Sequence, residues 1–308
     1  MTSDNPSNSV IWRLCDGKAG HETQSKGLAE AINRLSPCEI YDIHVTNRPA
    51  SIFDFIQKRF PPGENLPNPR IIIGAGHGTH ISLLNAKRAR SGLTIVLMKP
   101  TFPMAWFDYC LIPKHDHPPD RDNVISTRGA LNSVTPATKH MPDAGLVLIG
   151  GPSRHFNWDP ESLIGQLQPI ITQRPERYWT ITDSPRTPET TLKRISEQGW
   201  KNIDIIPFTE CNSSRLHNLY AKAGTIWVSE DSISMVYEAL TSGAKVGLLE
   251  VPQKKPNRVS IEMKSLLDEG LLTSFMSWHK TNKMKPADHP INEAVRCAKI
   301  LLQRGLLA

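Results

Sequence analysis

The chain has 308 residues, 39% of them hydrophobic and 21% charged, which is enough apolar material for two compact domains and excludes wholesale disorder. Its 36 Lys+Arg stand against 30 Asp+Glu, a net charge of +6 scattered along the chain. That balance suits an anionic small ligand or an anionic membrane surface and falls short of a nucleic-acid signature. Five cysteines (Cys15, Cys38, Cys110, Cys211, Cys297), odd in number and without a C-x-x-C spacing, argue against a disulfide framework or a cysteine zinc site.

From the N-terminus, the polar stretch MTSDNPSNSV has neither the basic nor the apolar region of a signal peptide, so no secretory leader is expected. No apolar run approaches the ~20 residues that span a bilayer, and a cytoplasmic location is the expectation. Val10-Ile11-Trp12-Arg13-Leu14 predicts a first strand, followed by a helix from about 24 to 35 and a strand over 40–45. Arg70-Ile71-Ile72-Ile73 predicts a third strand, entering a glycine-rich turn and a helix through Arg88, with short strands over 94–98 and 109–112. The pattern restarts at Gly145-Leu146-Val147-Leu148-Ile149, with strands over 178–182, 203–206, 225–228 and 246–249 and helices over 162–174, 187–197 and 232–241. A last helix, over 292–304, is expected to cross back to the first half. Short strands apolar throughout and alternating with helices belong to parallel sheets covered on both faces. The polar stretch 135–143 reads as a linker. The expected architecture is therefore α/β, with two Rossmann-like domains, 1–142 and 143–308, facing across a cleft.

In open α/β sheets ligands bind just past the strand ends, and four such places stand out. Asp16-Gly17-Lys18-Ala19-Gly20-His21 follows the first strand and offers His21 as a general base, although a tight turn with a surface His also accounts for it. Gly74-Ala75-Gly76-His77-Gly78-Thr79 contains G-x-G but not the full dinucleotide fingerprint. Gly150-Gly151-Pro152-Ser153-Arg154-His155 suits a diphosphate, and a purely structural need for its glycines is the alternative. The fourth runs from Ser229-Glu230-Asp231-Ser232 to Glu238-Ala239-Leu240, where Glu238 lies one turn into a predicted helix. Its carboxylate there can accept both hydroxyls of a ribose, or it is a solvated helical Glu. His115-Asp116-His117 has metal-capable side chains on a Pro-flanked loop, but three adjacent residues rarely converge on one ion. Walker, zincin and hydrolase-elbow motifs are absent from the sequence.

The 229–246 segment resembles the donor motif of GT-B glycosyltransferases, in which a helix Glu binds the nucleotide's ribose. Over roughly residues 11–250 the chain resembles bacterial members of the mitochondrial-fission "elongated mitochondria" family. The shared pieces include Asp16-Gly17-Lys18-Ala19-Gly20-His21-Glu22-x-Gln24, Gly74-Ala75-Gly76-His77, Phe107-Asp108, Pro113-x-His115-Asp116 and Gly129-Ala130-Leu131. They continue with Gly150-Gly151-Pro152-Ser153, Ser184-x-Arg186-Thr187-Pro188, Asn218-x-Tyr220 and Asp231-Ser232-x-Ser234-Met235-x-x-Glu238-Ala239. Pro185 and Leu219 depart from the family pattern, which more often has a basic residue and a proline there.

The resemblance implies a glycosyltransferase that moves a sugar from a nucleotide diphosphate sugar to a cell-envelope acceptor such as lipopolysaccharide or another glycolipid. Gly151, Ser153 and Arg186 would hold the diphosphate. The turn through Asp231, Ser232, Ser234 and Met235 would add N–H donors, and Glu238 would grip the ribose. The first half would present the acceptor through Lys18, Gly76, His77 and His115, with Asp16 or His21 as the base. No metal and no cofactor beyond the co-substrate are expected. Peripheral contact with an anionic membrane is expected through Lys58-Arg59 and Lys87-Arg88-x-Arg90. The alternative implied by the organelle-division relatives is a non-catalytic membrane-associated adaptor on the same scaffold.

Overall fold

The computed structural model describes residues 9–46, 51–286 and 291–307. The N-terminal eight residues, on which the leader expectation rests, lie outside that set. The chain divides into two units: residues 1–133 with 292–308, and residues 134–291.

Unit 1 contains β1 (Ser9–Cys15), α1 (Ala19–Leu35), β2 (Cys38–His44), α2 (Ile52–Ile56), β3 (Ile71–Ala75), α3 (His80–Arg90), β4 (Leu93–Leu97), β5 (Tyr109–Pro113) and β6 (Val124–Thr127). Its six described strands are ordered β2-β1-β3-β4-β5-β6, every pair parallel. Strand alternation sends Ile11, Ile71, Ile73 and Ile95 to one face, against Leu28 and Ile32 of α1. Trp12, Leu14, Ile72 and Val96 go to the other, against Leu83 and Ala86 of α3. Both faces are covered, which is why these strands read as continuous apolar runs.

Unit 2 contains β7 (Met141–Leu148), α4 (Pro160–Thr172), β8 (Tyr178–Thr182), α5 (Glu189–Ser196), β9 (Ile203–Ile206) and α6 (Ser213–Lys222). It continues with β10 (Ala223–Ser229), α7 (Ile233–Ser242), β11 (Lys245–Leu249), α8 (Arg258–Asp268), β12 (Thr273–Ser274) and α9 (Phe275–Thr281). The sheet order is β12-β11-β10-β7-β8-β9, again parallel throughout. The final helix, α10 (Glu293–Gln303), returns to unit 1, where Ala294, Cys297, Ala298 and Leu301 join the α1 face of the core.

Three sequence expectations are corrected. The stretch 135–143 is not a bare linker, because Val134 is buried in the unit 2 core, the Ala137 amide donates to Ser242 O, and β7 begins at Met141. The division therefore falls at Ser133/Val134 rather than at 142. The first helix starts at Ala19 rather than near Gln24, which puts His21 in its first turn. Strands β6 and β12 and helices α2, α6, α8 and α9 have no counterpart among the predicted elements. β6 is four residues long, with Ser126 exposed, and α6 is ten residues long, its Leu216, Leu219 and Tyr220 forming one short apolar stripe against the unit 2 core.

Candidate functional site

Parallel order places the C-terminal ends of all strands along one edge of each sheet, and the predicted site residues sit along those edges. In unit 1, Asp16 follows the last residue of β1 and is almost fully buried. One carboxylate oxygen, Oδ2, lies 2.8 Å from Nδ1 of His21, and the other, Oδ1, accepts the Lys18 amide at 3.2 Å. An ionised Asp16 can only accept, so the proton of the shared bond belongs to Nδ1 and the lone pair to Nε2. The ring is held from behind by Gly76, where φ is +73° and a Cβ would lie 2.1 Å from His21 Cε1. No residue but glycine fits that position while the imidazole stays where it is.

Asp16, Lys18, Thr46, His77, Gly78 and Ser82 line one cavity of about 440 Å³. The structure thus gathers Asp16, His21, Lys18, Gly76 and His77 at the ends of β1 and β3. His115 stands apart, beyond β5, and does not line that cavity. His80 was missed by sequence reasoning. It is buried at the start of α3, its Nδ1 is 3.1 Å from Thr101 Oγ1, and its Nε2 has no hydrogen-bond partner among the described residues. Burial pushes its imidazole down to about 4, with the nearby His77 and His21 adding to the effect, so it is neutral at physiological pH. The histidines at 77 and 80, one turn apart, were the available signal.

In unit 2 the edge is more closed than expected. Gly151 N–H, counted on for a diphosphate, instead donates to Asp231 Oδ2 at 3.0 Å, and Gly150 N–H donates to Ser229 Oγ at 2.7 Å. The Ser153 hydroxyl accepts the amides of His155 and Phe156, closing its own turn. Arg186 donates Nη2 to Asp231 Oδ2 at 2.7 Å and Nη1 to Gly151 O at 2.8 Å. Asp231 is therefore a buried bracket between two loops rather than part of an N–H cradle. A carboxylate with no exposed side-chain surface must keep a donor or charge partner, and Arg186 and Gly151 supply both at Oδ2, while Oδ1 is buried without a hydrogen-bond partner among the described residues. Arg186 keeps 40% of its side chain exposed, so part of its guanidinium still faces outward.

The first turn of α7 is different. Ser232 occupies the N-cap without a side-chain hydrogen bond, leaving the amides of Ile233, Ser234 and Met235 uncapped at the positive end of the helix dipole. Ser234 is exposed there, while Met235 packs against the core. Further along α7, Glu238 Oε2 accepts the hydroxyl of the fully buried Tyr220 at 2.9 Å. Its Oε1 makes no hydrogen bond among the described residues. Burial pushes the Glu238 carboxyl up to about 7, against the pull of the Tyr220 bond. Glu230 does not share this setting, since its Oε1 accepts Val251 N–H at 2.9 Å and ties β10 to the end of β11.

Cys15, Glu22 and His44 bring potential ligand atoms within 4.8 Å of one another. As ligands they are poorly prepared: burial raises the Cys15 thiol to about 11, and Glu22 accepts Gly17 N–H at 3.0 Å. The basic stretch assigned to a membrane is also largely engaged. Lys87 pairs with Asp108 at 2.7 Å, Arg88 donates to Phe55 O over that residue's ring, and Arg90 reaches Asn68 Oδ1 and Gly63 O. Arg59 lies 3.4 Å from Glu64. No helix of the described residues is long and apolar enough to cross a membrane.

A sequence model of the family described as "Mitochondrial fission ELM1" matches residues 19–305. An uncharacterised protein of Rickettsia prowazekii (strain Madrid E) is 24% identical, the match covering 94% of this chain and 97% of that protein. Among solved structures, the UDP-GlcNAc 2-epimerase of Neisseria meningitidis bound to UDP-GlcNAc superposes with a TM-score of 0.52 at 11% identity, over 98% of this chain and 100% of that one. A Listeria monocytogenes protein assigned as a UDP-N-acetylglucosamine 2-epimerase gives 0.60 at 10% identity, over 96% of this chain and 95% of that one. At such identities the likeness is one of fold: two Rossmann-like α/β units of the GT-B type.

Proposed function

We propose that this chain, which belongs to the mitochondrial fission ELM1 family, is a metal-independent glycosyltransferase. In this reading unit 2 binds a nucleoside diphosphate sugar and unit 1 supplies the base. The observation that carries it is Glu238, whose Oε2 is fixed by Tyr220 while its Oε1 makes no hydrogen bond among the described residues. A half-buried carboxylate prepared in this way suits the vicinal hydroxyls of a ribose. The uncapped first turn of α7 and the outward part of Arg186 then meet the diphosphate. They also stabilise the charge that develops as it leaves, the largest single demand of such a transfer.

His21 is the base and Asp16 its orienter. Nε2 takes the proton of an acceptor hydroxyl, the oxygen attacks the anomeric carbon, and Asp16 stabilises the imidazolium that results. Lys18 and His77, which line a cavity together with Asp16, steady an acceptor that is itself anionic. Such an acceptor fits an envelope glycan or glycolipid at the cytoplasmic face of a membrane, to which the protein would attach peripherally.

A thermal-shift screen of the full chain against UDP-, GDP-, CMP- and ADP-linked sugars tests the reading. One nucleotide family should raise the melting temperature, since a ligand at ~100 times its Kd contributes about 2.7 kcal/mol. A flat response to all four would favour the adaptor role. Conversion of the sugar nucleotide to an isomer without transfer would mean epimerisation instead.

A further inference from the structure

The opposite edge of the unit 2 sheet, at the N-terminal ends of its strands, carries a second polar site that the donor reading does not use. A cavity of about 300 Å³ is walled there by Arg174, Arg177, Trp179, Thr225, Lys245 and Lys283, among others. Four of these six are cations, no acidic side chain lines the space, and none of the four makes an ion pair among the described residues. Asp143 and Glu176 act on Arg177 from outside the lining.

The site is built rather than incidental. Asn202 clamps the approach to β8, donating Nδ2 to Ile171 O at 3.1 Å and to Arg177 O at 2.9 Å. Arg177 is fixed through Nη1 to Thr225 Oγ1 at 3.0 Å, with its guanidinium carbon 5.5 Å from the Trp179 ring centre. Trp179 lies flat against β7, where a Cβ at Gly145 would come within 2.2 Å of the indole, so the strand position is kept bare for the ring. With all of this in place, Arg177 Nε and Trp179 Nε1 are buried and have no hydrogen-bond partner among the described residues. Trp179 as a whole is 1% exposed. Buried donors are almost always satisfied, and two unsatisfied ones on side chains that line a cavity walled by cations suit an acceptor that carries negative charge.

We infer that this cavity is a binding site for a phosphate monoester, its phosphoryl oxygens taken by Arg177 Nε, Trp179 Nε1 and the ammonium groups of Lys245 and Lys283. A dianion matches several cations better than a single carboxylate does, and the space exceeds what a bare phosphate needs, leaving room for the sugar or glycerol it esterifies against Ile170 and Met284. Burial and the neighbouring charge of Arg174 lower the pKa of Arg177, a cost that a bound dianion would relieve. The phosphate has two sources, a soluble sugar phosphate or the headgroup of an acidic phospholipid. The site does not depend on the donor reading, since it lies at the other end of the same strands.

The test titrates glucose 6-phosphate, glucose and inorganic phosphate into the full chain by calorimetry, alongside sedimentation with vesicles of phosphatidic acid in phosphatidylcholine. Glucose 6-phosphate should bind saturably and raise the melting temperature, and glucose should do neither. Arg177→Gln with Lys245→Gln should weaken binding by about tenfold or more, and Lys245→Gln alone, at an exposed position, should weaken it in the same direction without a folding defect. Lys264→Gln, which removes a charge from α8 outside the site, should leave it unchanged. Binding to the vesicles alone, lost in the double variant, would support the site with a headgroup as its source. Equal affinity in the parent and the double variant, or no saturable binding of any phosphate probe, would overturn the inference.

Discussion

Asp16, just past β1, and Asp231, two residues past β10, are both nearly buried carboxylates at the ends of parallel strands, yet their partners differ in kind. Asp16 holds a titratable ring beside an open cavity. Asp231 holds a permanently charged guanidinium and a backbone amide inside the protein. The first arrangement leaves a lone pair on the ring, and the second uses Oδ2 to bind two loops together while Oδ1 stays buried without a hydrogen-bond partner among the described residues. Buried carboxylates past the ends of parallel strands can thus hold a titratable ring in one unit and tie loops together in the other, depending on what the carboxylate touches.

The sharpest way to break this comparison is to neutralise each side. His21→Asn should lower kcat by roughly 10²–10⁴-fold, the usual worth of a general base, while the melting temperature stays near that of the parent. Asp16→Asn should follow it in activity, because an amide no longer fixes the tautomer. Steady-state transfer kinetics beside a melting curve check both. Asp231→Asn should show the converse. It faces Arg186 with an amide and weakens the Gly151 bond, so denaturant unfolding should report a loss of about 2 kcal/mol. If Asp231→Asn were neutral for stability while Asp16→Asn unfolded the protein, the assignment of roles would be inverted.

Glu238→Gln tests the donor side. The amide keeps one acceptor oxygen and adds a donor, so nucleotide-sugar affinity should fall by about ten- to a hundredfold, as expected for hydrogen bonds to a charged partner worth ~1.5–3 kcal/mol. Calorimetric titration with the sugar nucleotide identified by the screen measures it, and unchanged affinity would remove Glu238 from the site.

A smaller effect concerns pH. Because the Glu238 carboxyl is raised to about 7 in the folded protein, the folded state holds a proton that the unfolded chain releases near the ordinary glutamate range. That contribution to stability is present at low pH and is lost as the pH rises through about 7. Donor binding should run the other way, strengthening as Glu238 ionises over the same interval. Unfolding and binding measured between pH 5 and 8 in the parent and in Glu238→Gln should show both slopes in the parent and neither in the variant.

Much of the architecture was legible because it follows from local pattern. The strands at 178–182 and 203–206 were placed to the residue, their β-branched and aromatic runs leaving little choice. The strand-end turns at Asp16, Gly76, Gly150 and Ser229 could be located for the same reason, since small residues directly after buried strands mark where backbone and ligand come close. The ten-residue helix α6 was not among the predicted elements, although Leu216, Leu219 and Tyr220 stand at helical spacing, and yet it supplies the hydroxyl that fixes Glu238.

Residue types and their order along the chain determined two parallel α/β units, the edge of each sheet that carries the conspicuous polar residues, and the candidacy of His21 and Glu238. Only the tertiary structure decided which polar groups remain available. Gly151 and Asp231 are 80 positions apart in the chain, as Arg186 and Asp231 are 45 apart, so no local pattern records that they satisfy one another. The same holds for Arg177 and Trp179, whose buried N–H groups look ordinary in sequence and have no partner among the described residues once β7, β10 and β11 have closed around them. Hydrogen-bond satisfaction is a property of the packed whole, because each donor's partner is chosen by distance in space and not by distance along the chain.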